Sequence, residues 1–257
     1  MSTDDAIVRA MPPPKPAEVR VSVAPGAVLR VLSAISLLFG ALHLAGMPVY
    51  VEGMKAADGI HVRVARALML HTESAIPTWF AVVLLAFNIL LLVLIATAVR
   101  QARTGSPFPW LALAAVIAFL SMDEMLGLHE RAGALLGRHF IARGALTFPW
   151  VVAGAIFAAA VALAFSGFLL RLPRRTARLF LISGGIYVGG ALGIEVIEGA
   201  TVAAIGFGGL YYLEVLVEEV MEMLGQAIFA FALLDHLGRS RTTFALWRDP
   251  PAGRTSD

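Results

Sequence analysis

Half of the acidic side chains in this sequence sit where a carboxylate is most costly to keep. Of eighteen Asp and Glu residues, nine fall inside apolar runs: Asp123, Glu124 and Glu130 in one, Glu195 and Glu198 in another, and Glu214, Glu218, Glu219 and Glu222 in a third. An ionised carboxylate at the centre of a bilayer costs roughly 2.5–3.5 kcal/mol on insertion scales, so such residues mark a functional site by default. Helical spacing sorts which of them share a face, because positions three, four or seven apart lie close around the axis. Asp123 and Glu130 stack with Gly127 between them, Glu195 and Glu198 form an i, i+3 pair, Glu214, Glu218 and Glu222 form an i, i+4, i+8 stripe, and Glu219 and Glu222 make a second i, i+3 pair.

Several carboxylates in contact cannot all stay ionised without positive charge or shared protons. Two divalent metals would neutralise them, and paired carboxylates on facing helices with a His donor are how di-iron and di-manganese sites are built. The metal ligands expected are Glu124, Glu130, Glu195, Glu198, Glu219 and Glu222, with His129, His43 and His71 as nitrogen donors; Asp123 and Glu218 are the protonated partners for proton transfer, and hence the catalytic candidates. Iron or manganese suits such a set best, and zinc also accepts it. With no cysteine in the chain, thiolate sites and a Cys nucleophile are excluded. The plainer alternatives are interhelical pairing with Arg131, Arg138 or Arg143, a hydrogen-bonding role for each His by itself, an interfacial place for Glu214, and packing for Met122, Met125, Met221 and Met223.

Stepping along the chain gives the elements that position these groups. The sequence is 59% hydrophobic and only 15% charged, with mean hydropathy +0.81, far from a soluble domain of 257 residues. Apolar runs at about 27–48, 76–99, 108–129, 147–170, 178–203 and 211–237 each reach the ~20 residues a hydrocarbon core requires. The fold expected is therefore all-α: a polytopic membrane bundle of about six spans over 26–238, between a disordered tail at 1–25 and a second tail at 239–257. Arg9, Lys15, Arg20, Arg30, Arg100, Arg103, Arg171, Arg174, Arg175, Arg178, Arg239, Arg241 and Arg248 flank one side, which the positive-inside rule makes cytoplasmic, both termini included. The loop with Arg131, Arg138 and Arg143 departs from that bias. The expected location is a bacterial inner membrane. The basic residues are explained by topology, so a nucleic-acid partner is not expected; the bilayer is the partner, and the oligomeric state is left open. Residues 60–74 fit a short interfacial helix, with Val62, Ala65, Leu68 and Met69 at helical spacing. Trp79, Trp110 and Trp150 fall near span starts, as in an aromatic belt, and His61, His139, Asp235 and His236 read as loop or boundary residues.

Direction of travel then sets depth. Span three reaches Asp123 and Glu130 about 21 and 31 Å from its cytoplasmic start, span five reaches Glu195 and Glu198 at about 25 and 30 Å, and span six meets Glu214 to Glu222 in its first three turns, at 1.5 Å per residue. All three motifs arrive at one level, in the outer half. Gly127, Gly193, Gly199 and Gly225 would let the helices approach.

The strings Ser121-Met122-Asp123-Glu124-Met125-Leu126-Gly127-Leu128-His129-Glu130, Gly193-Ile194-Glu195 and Glu218-Glu219-Val220-Met221-Glu222-Met223-Leu224-Gly225 resemble those of uncharacterised bacterial multi-pass membrane proteins with S-x-D-E…H-E and E-E-x-x-E-M-x-G signatures. The resemblance spans roughly spans three to six and implies a six- or seven-span bundle with a shared acidic site, without naming a reaction. The comparison with ferritin-like proteins is one of metal chemistry only. Three functions compete: a membrane metalloprotein, such as an oxidoreductase on a lipid-soluble substrate like a quinone or an acyl chain; a proton- or cation-coupled transporter or channel component using the same carboxylates; and a non-catalytic subunit of a membrane complex.

Overall fold

The computed structural model describes residues 23–53, 59–72, 75–137 and 143–239, and among these every regular element is helical. The helices are α1 (Pro25–Gly53), α2 (Ile60–Arg66), α3 (Ile76–Ala102), α4 (Phe108–Leu126), α5 (Leu128–Leu136), a 3₁₀ turn (Gly144–Leu146), α6 (Trp150–Leu169), α7 (Arg174–Val188), a π-helical segment (Gly189–Ile194), α8 (Glu195–Ile205) and α9 (Gly209–Arg239). The terminal tails, apart from residues 23–25 and 239, and also Glu73, Arg138 and His139, lie outside the described residues.

Among the described residues, five helices are long and apolar enough to cross a membrane: α1, α3, α4, α6, and the continuous 32-residue rod Arg174–Ile205 that joins α7, the π segment and α8. Proline marks their starts, where the missing N–H is harmless: in the first turn of α3 and α4, and just before α6 and α7. Helix α9 is 31 residues long and carries the third acidic motif. Many of the outward faces are apolar, as at Ile156, Leu163 and Ile182, which are 67%, 76% and 51% exposed; in a lipid solvent such faces would need no cover.

Successive long helices run in opposite directions. One apolar core gathers Leu32 from the start of α1, Leu92 and Ile95 from late α3, Trp110 from the start of α4, Leu169 from the end of α6, Phe180 from early α7 and Leu233 from late α9. Most of the arginines cluster at that same end, including Arg175 and Arg239, which hold Asp235 at 3.0 and 2.9 Å. The other end of the bundle holds the acidic motifs. Helix α9 is central, packed against α1, α3, α7 and the π segment, whereas the backbone of α6 comes near that of α5 and the π segment and meets α4 through large side chains, Phe157 against Phe119 at 5.3 Å and Phe168 against Trp110 at 4.9 Å. The short helix expected within 60–74 forms as α2, with Val62 and Ala65 buried and Met69 and Leu70 buried just after it.

Candidate functional site

The gap left by α6 is a cavity of about 1060 Å³. Its acidic end is lined by Asp123, Glu124, His129, Glu130, Glu195, Glu198, Glu218, Glu219 and Glu222, with His71 at the rim; the rest of its wall is mostly aliphatic and aromatic. Ten of the eleven residues singled out from sequence thus face one space, brought there by α4, α5, the start of α8, α9 and the loop before α3. Among the described residues no Lys or Arg lines it, and the two described arginines considered as counter-ions, Arg131 and Arg143, are exposed.

The route differs from a continuous third span. Gly127 takes a left-handed conformation (φ 55°, ψ 47°) and ends α4, its N–H donating to the Asp123 carbonyl at 2.8 Å. Only glycine enters that region at no steric cost. Asp123 and Glu130 therefore do not stack on one helix as i, i+7 spacing predicts. Instead the chain turns back: Asp123 Oδ1 accepts the His129 main-chain N–H at 2.8 Å, and Asp123 Oδ2 accepts from His129 Nδ1 at 3.0 Å. Burial lowers the His129 pKa, but the hydrogen bond and charge of Asp123 outweigh it, and the imidazole titrates above its ordinary value. With Nδ1 carrying the proton toward Asp123, Nε2 is the nitrogen left for a ligand.

A second set of contacts ties this corner to α8. The Trp150 ring lies 4.7 Å from the His129 ring, and its Nε1–H donates to Glu195 Oε1 at 3.0 Å. Carboxylate oxygens of Glu195, Glu198 and Glu218 lie within 4.8 Å of one another. Glu198 is 2% exposed and hydrogen-bonded to Glu218, while its Oε1 has no partner. A hydrogen bond between two carboxyl groups needs a proton on one of them. Tyr187 and Tyr211 also line the cavity, Tyr187 near Glu222 and Tyr211 beside the triad.

The bundle reaches this geometry through close backbone approach. A Cβ on Gly225 would stand 2.9 Å from the Ser183 carbonyl and the Tyr187 nitrogen, and one on Gly190 would stand 2.9 Å from the Glu218 carbonyl, so α9 meets α7 and the π segment backbone to backbone. Gly199 backs onto Ala145, whereas Gly193, also expected at a helix contact, faces open space. The π segment directly precedes Glu195, and such insertions re-aim the helix that follows.

One expected residue lies apart. His43 is fully buried, its Nδ1 accepting from the Leu70 N–H at 3.0 Å and its Nε2–H donating to the Tyr212 carbonyl at 3.0 Å. Both ring nitrogens are used to join α1, α9 and the loop before α3, and the structure does not bring His43 to the cavity. Glu214 also stays outside it, accepting from the Thr201 hydroxyl at 2.7 Å. His71 bonds the Tyr50 hydroxyl at 3.1 Å, and burial, then the neighbouring His43, pushes its pKa down to about 4. Trp150, Tyr187 and Tyr211 are site residues that the sequence reading passed over. Trp150 could be found only by pairing α6 with α8; Tyr187, eight residues before Glu195, had helical spacing as its one signal.

Three carboxylates from two helices, oxygen donors only, with an imidazole nitrogen in the same cavity, form a donor set of the kind hard and borderline divalent ions accept. The unpartnered oxygen of buried Glu198 is the observation that fits a cation there. A family model described as a domain of unknown function, DUF8692, matches residues 31–237. The chain belongs to this family. No curated protein and no solved structure matches it. The DUF8692 match takes in every cavity residue, from Leu70 to Phe229.

Proposed function

We propose that this DUF8692 protein is a six-span metalloprotein of a bacterial inner membrane, with both termini cytoplasmic and α9 as the sixth span, acting as an oxidoreductase on a lipid-soluble substrate. In this reading the strings around Asp123 to Glu130 and Glu218 to Gly225 are its working signatures. The observation that carries the proposal is the Glu195, Glu198 and Glu218 cluster, with one buried oxygen unpartnered, at the head of an apolar cavity that no Lys or Arg among the described residues lines. Like charges this close repel strongly in a medium that screens them little, so the cluster holds either cations or protons.

Glu195, Glu198 and Glu218 would hold one ion; Glu124, Glu130, Glu219, Glu222 and His129 supply donors for a second. A bound iron or manganese would contribute Lewis acidity and electron transfer. The chain's own residues do the rest. Asp123 holds His129 in one tautomer and orientation, which makes it a positioning residue. Trp150 fixes one oxygen of Glu195. The proton between Glu198 and Glu218 is the one that an ion bound there would displace, and the apolar wall excludes water and accommodates a hydrocarbon tail.

The shared proton also favours a second reading, proton or cation transport. Against it, the arginine end is closed by the apolar core around Leu92, Ile95, Phe180 and Leu233, and transport would require that core to open. Elemental analysis of the purified full chain beside a Glu195→Gln/Glu198→Gln variant, both checked for folding, separates these. About two equivalents of a transition metal in the wild type, lost in the variant, is the result expected of a di-metal centre. Folded wild type without metal overturns it in favour of proton transport, and metal that loads only beside another subunit favours the third possibility, a non-catalytic component.

A further inference from the structure

Deeper in the cavity, on the arginine side of the carboxylates, the wall carries a second polar station. Asn88 on α3 and Gln226 on α9 are 1% and 4% exposed, and both line the cavity. Asn88 Nδ2 donates to the Gln226 main-chain carbonyl at 3.2 Å, which fixes the Asn88 amide and leaves its Oδ1 over. Asn88 Oδ1, Gln226 Oε1 and Gln226 Nε2 all lack a hydrogen-bond partner. Buried side-chain polar atoms are paired in the large majority of cases, and each orphan costs about 1–3 kcal/mol. Three at one place on a cavity wall require a partner that comes from the cavity.

The geometry points to a binding site at Asn88 and Gln226 for an uncharged hydroxyl or amide group of a lipophilic ligand lying in this cavity. The atoms left over define the chemistry. Two carbonyl oxygens need a donor and one amide N–H needs an acceptor, so the group must do both; an ester or quinone carbonyl would answer only the N–H. A charge is disfavoured because no charged side chain lines this stretch: Leu85, Leu113 and Phe229 are its cavity neighbours. Gln226 follows Glu222 by four residues and Glu219 by seven, so the station lies about 6 and 10 Å along α9 from those carboxylates. A ligand bound here can reach the carboxylate head while its hydrocarbon runs toward Phe165 and Phe168. This names a substrate class for the proposed membrane oxidoreductase and rests on that reading only for calling the ligand a substrate.

Two tryptophans report on occupancy. Trp150 lines the acidic end, and Trp110 lies 4.9 Å from Phe168, which lines the other. The purified full chain is titrated with bromododecanol and, separately, bromododecane, whose bromine quenches indole fluorescence. Wild type is expected to bind the alcohol about tenfold more tightly than the alkane, the worth of one to two net hydrogen bonds. Gln226→Met should abolish the preference while keeping alkane binding, and it leaves the Asn88 bond to the main chain in place, so folding is preserved. Asn88→Leu should reduce the preference as well. Equal binding of the two probes by wild type, or a preference that survives Gln226→Met, overturns the inference and assigns the station to water. The Glu195→Gln/Glu198→Gln variant should keep the alcohol preference whether or not wild type holds metal, so failure of the metal reading and failure of this one are seen separately.

Discussion

The two ends of this bundle are held together by different physics. At the arginine end, Leu91, Leu92, Ile95, Trp110, Phe180, Ala230 and Leu233 fill one core, and Trp110 sits edge-on to Phe168 and Phe180 at 4.9 and 6.3 Å. At the acidic end a smaller core of Leu70, Ala81, Val215 and Met223 is joined by directional contacts: His129 to Asp123, Trp150 to Glu195, His43 to Leu70 and Tyr212. Space is left between them. Close packing gives stability without chemistry, and polar contacts around a void give a site at a cost in stability. The same helices do both, because α9 changes from Glu-rich to Ala- and Leu-rich along its length.

The contrast can be broken most severely at Leu92, which is fully buried in the arginine-end core. Leu92→Asp should cost on the order of 4 kcal/mol or more, as an unpaired charge enters a packed apolar site. Glu198→Gln in chelator-treated protein should be neutral or stabilising, since it removes one of three mutually repelling carboxylates. Thermal unfolding in detergent measures both, and equal losses would erase the distinction between the ends. Next in size, Leu233→Ala should lose about 2–4 kcal/mol, through forfeited van der Waals contact, since apolar side chains gain little by leaving lipid.

A smaller effect tests the seam between α7 and α9. Gly225→Val should cost roughly 1–3 kcal/mol by overpacking, because its Cβ would meet Ser183 and Tyr187 at 2.9 Å, while Gly193→Ala, with nothing within 4 Å, should be tolerated. Comparable destabilisation of both would deny that close approach is confined to that seam. The smallest concerns pH. His71 titrates near 4 in the folded protein against 6.5 when unfolded. The unfolded chain therefore binds more protons between those values, and stability from this residue is intact above about 6.5 and lost as pH falls toward 4. His71→Gln should flatten that part of the unfolding profile; an unchanged profile would assign the acid sensitivity elsewhere.

Much of this site was legible because its determinants are local. Apolar runs of about twenty residues and a rise of 1.5 Å per residue place Asp123, Glu195 and Glu218 at a common depth, whatever the helices' neighbours. Hydropathy likewise reads the five long apolar helices. Glu219, expected beside Glu222 from their i, i+3 spacing, lines the cavity with it.

Sequence by itself determined that Asp123, Glu124, Glu195 and Glu198 lie inside long apolar helices and how far along them, since those quantities follow from composition and helical rise; Glu130, expected on the helix of Asp123, lies beyond the Gly127 turn on α5. Tertiary structure alone decided which atoms meet. Gly127 reads as one more residue of an apolar run until the chain must turn His129 back onto Asp123. His43 looks like a ligand until Tyr212, 169 residues away, and Leu70, 27 residues away, take both its nitrogens. The cavity is the clearest case: a void depends on where α6 does not pack, and absent contacts leave no trace in the spacing of residues along one helix.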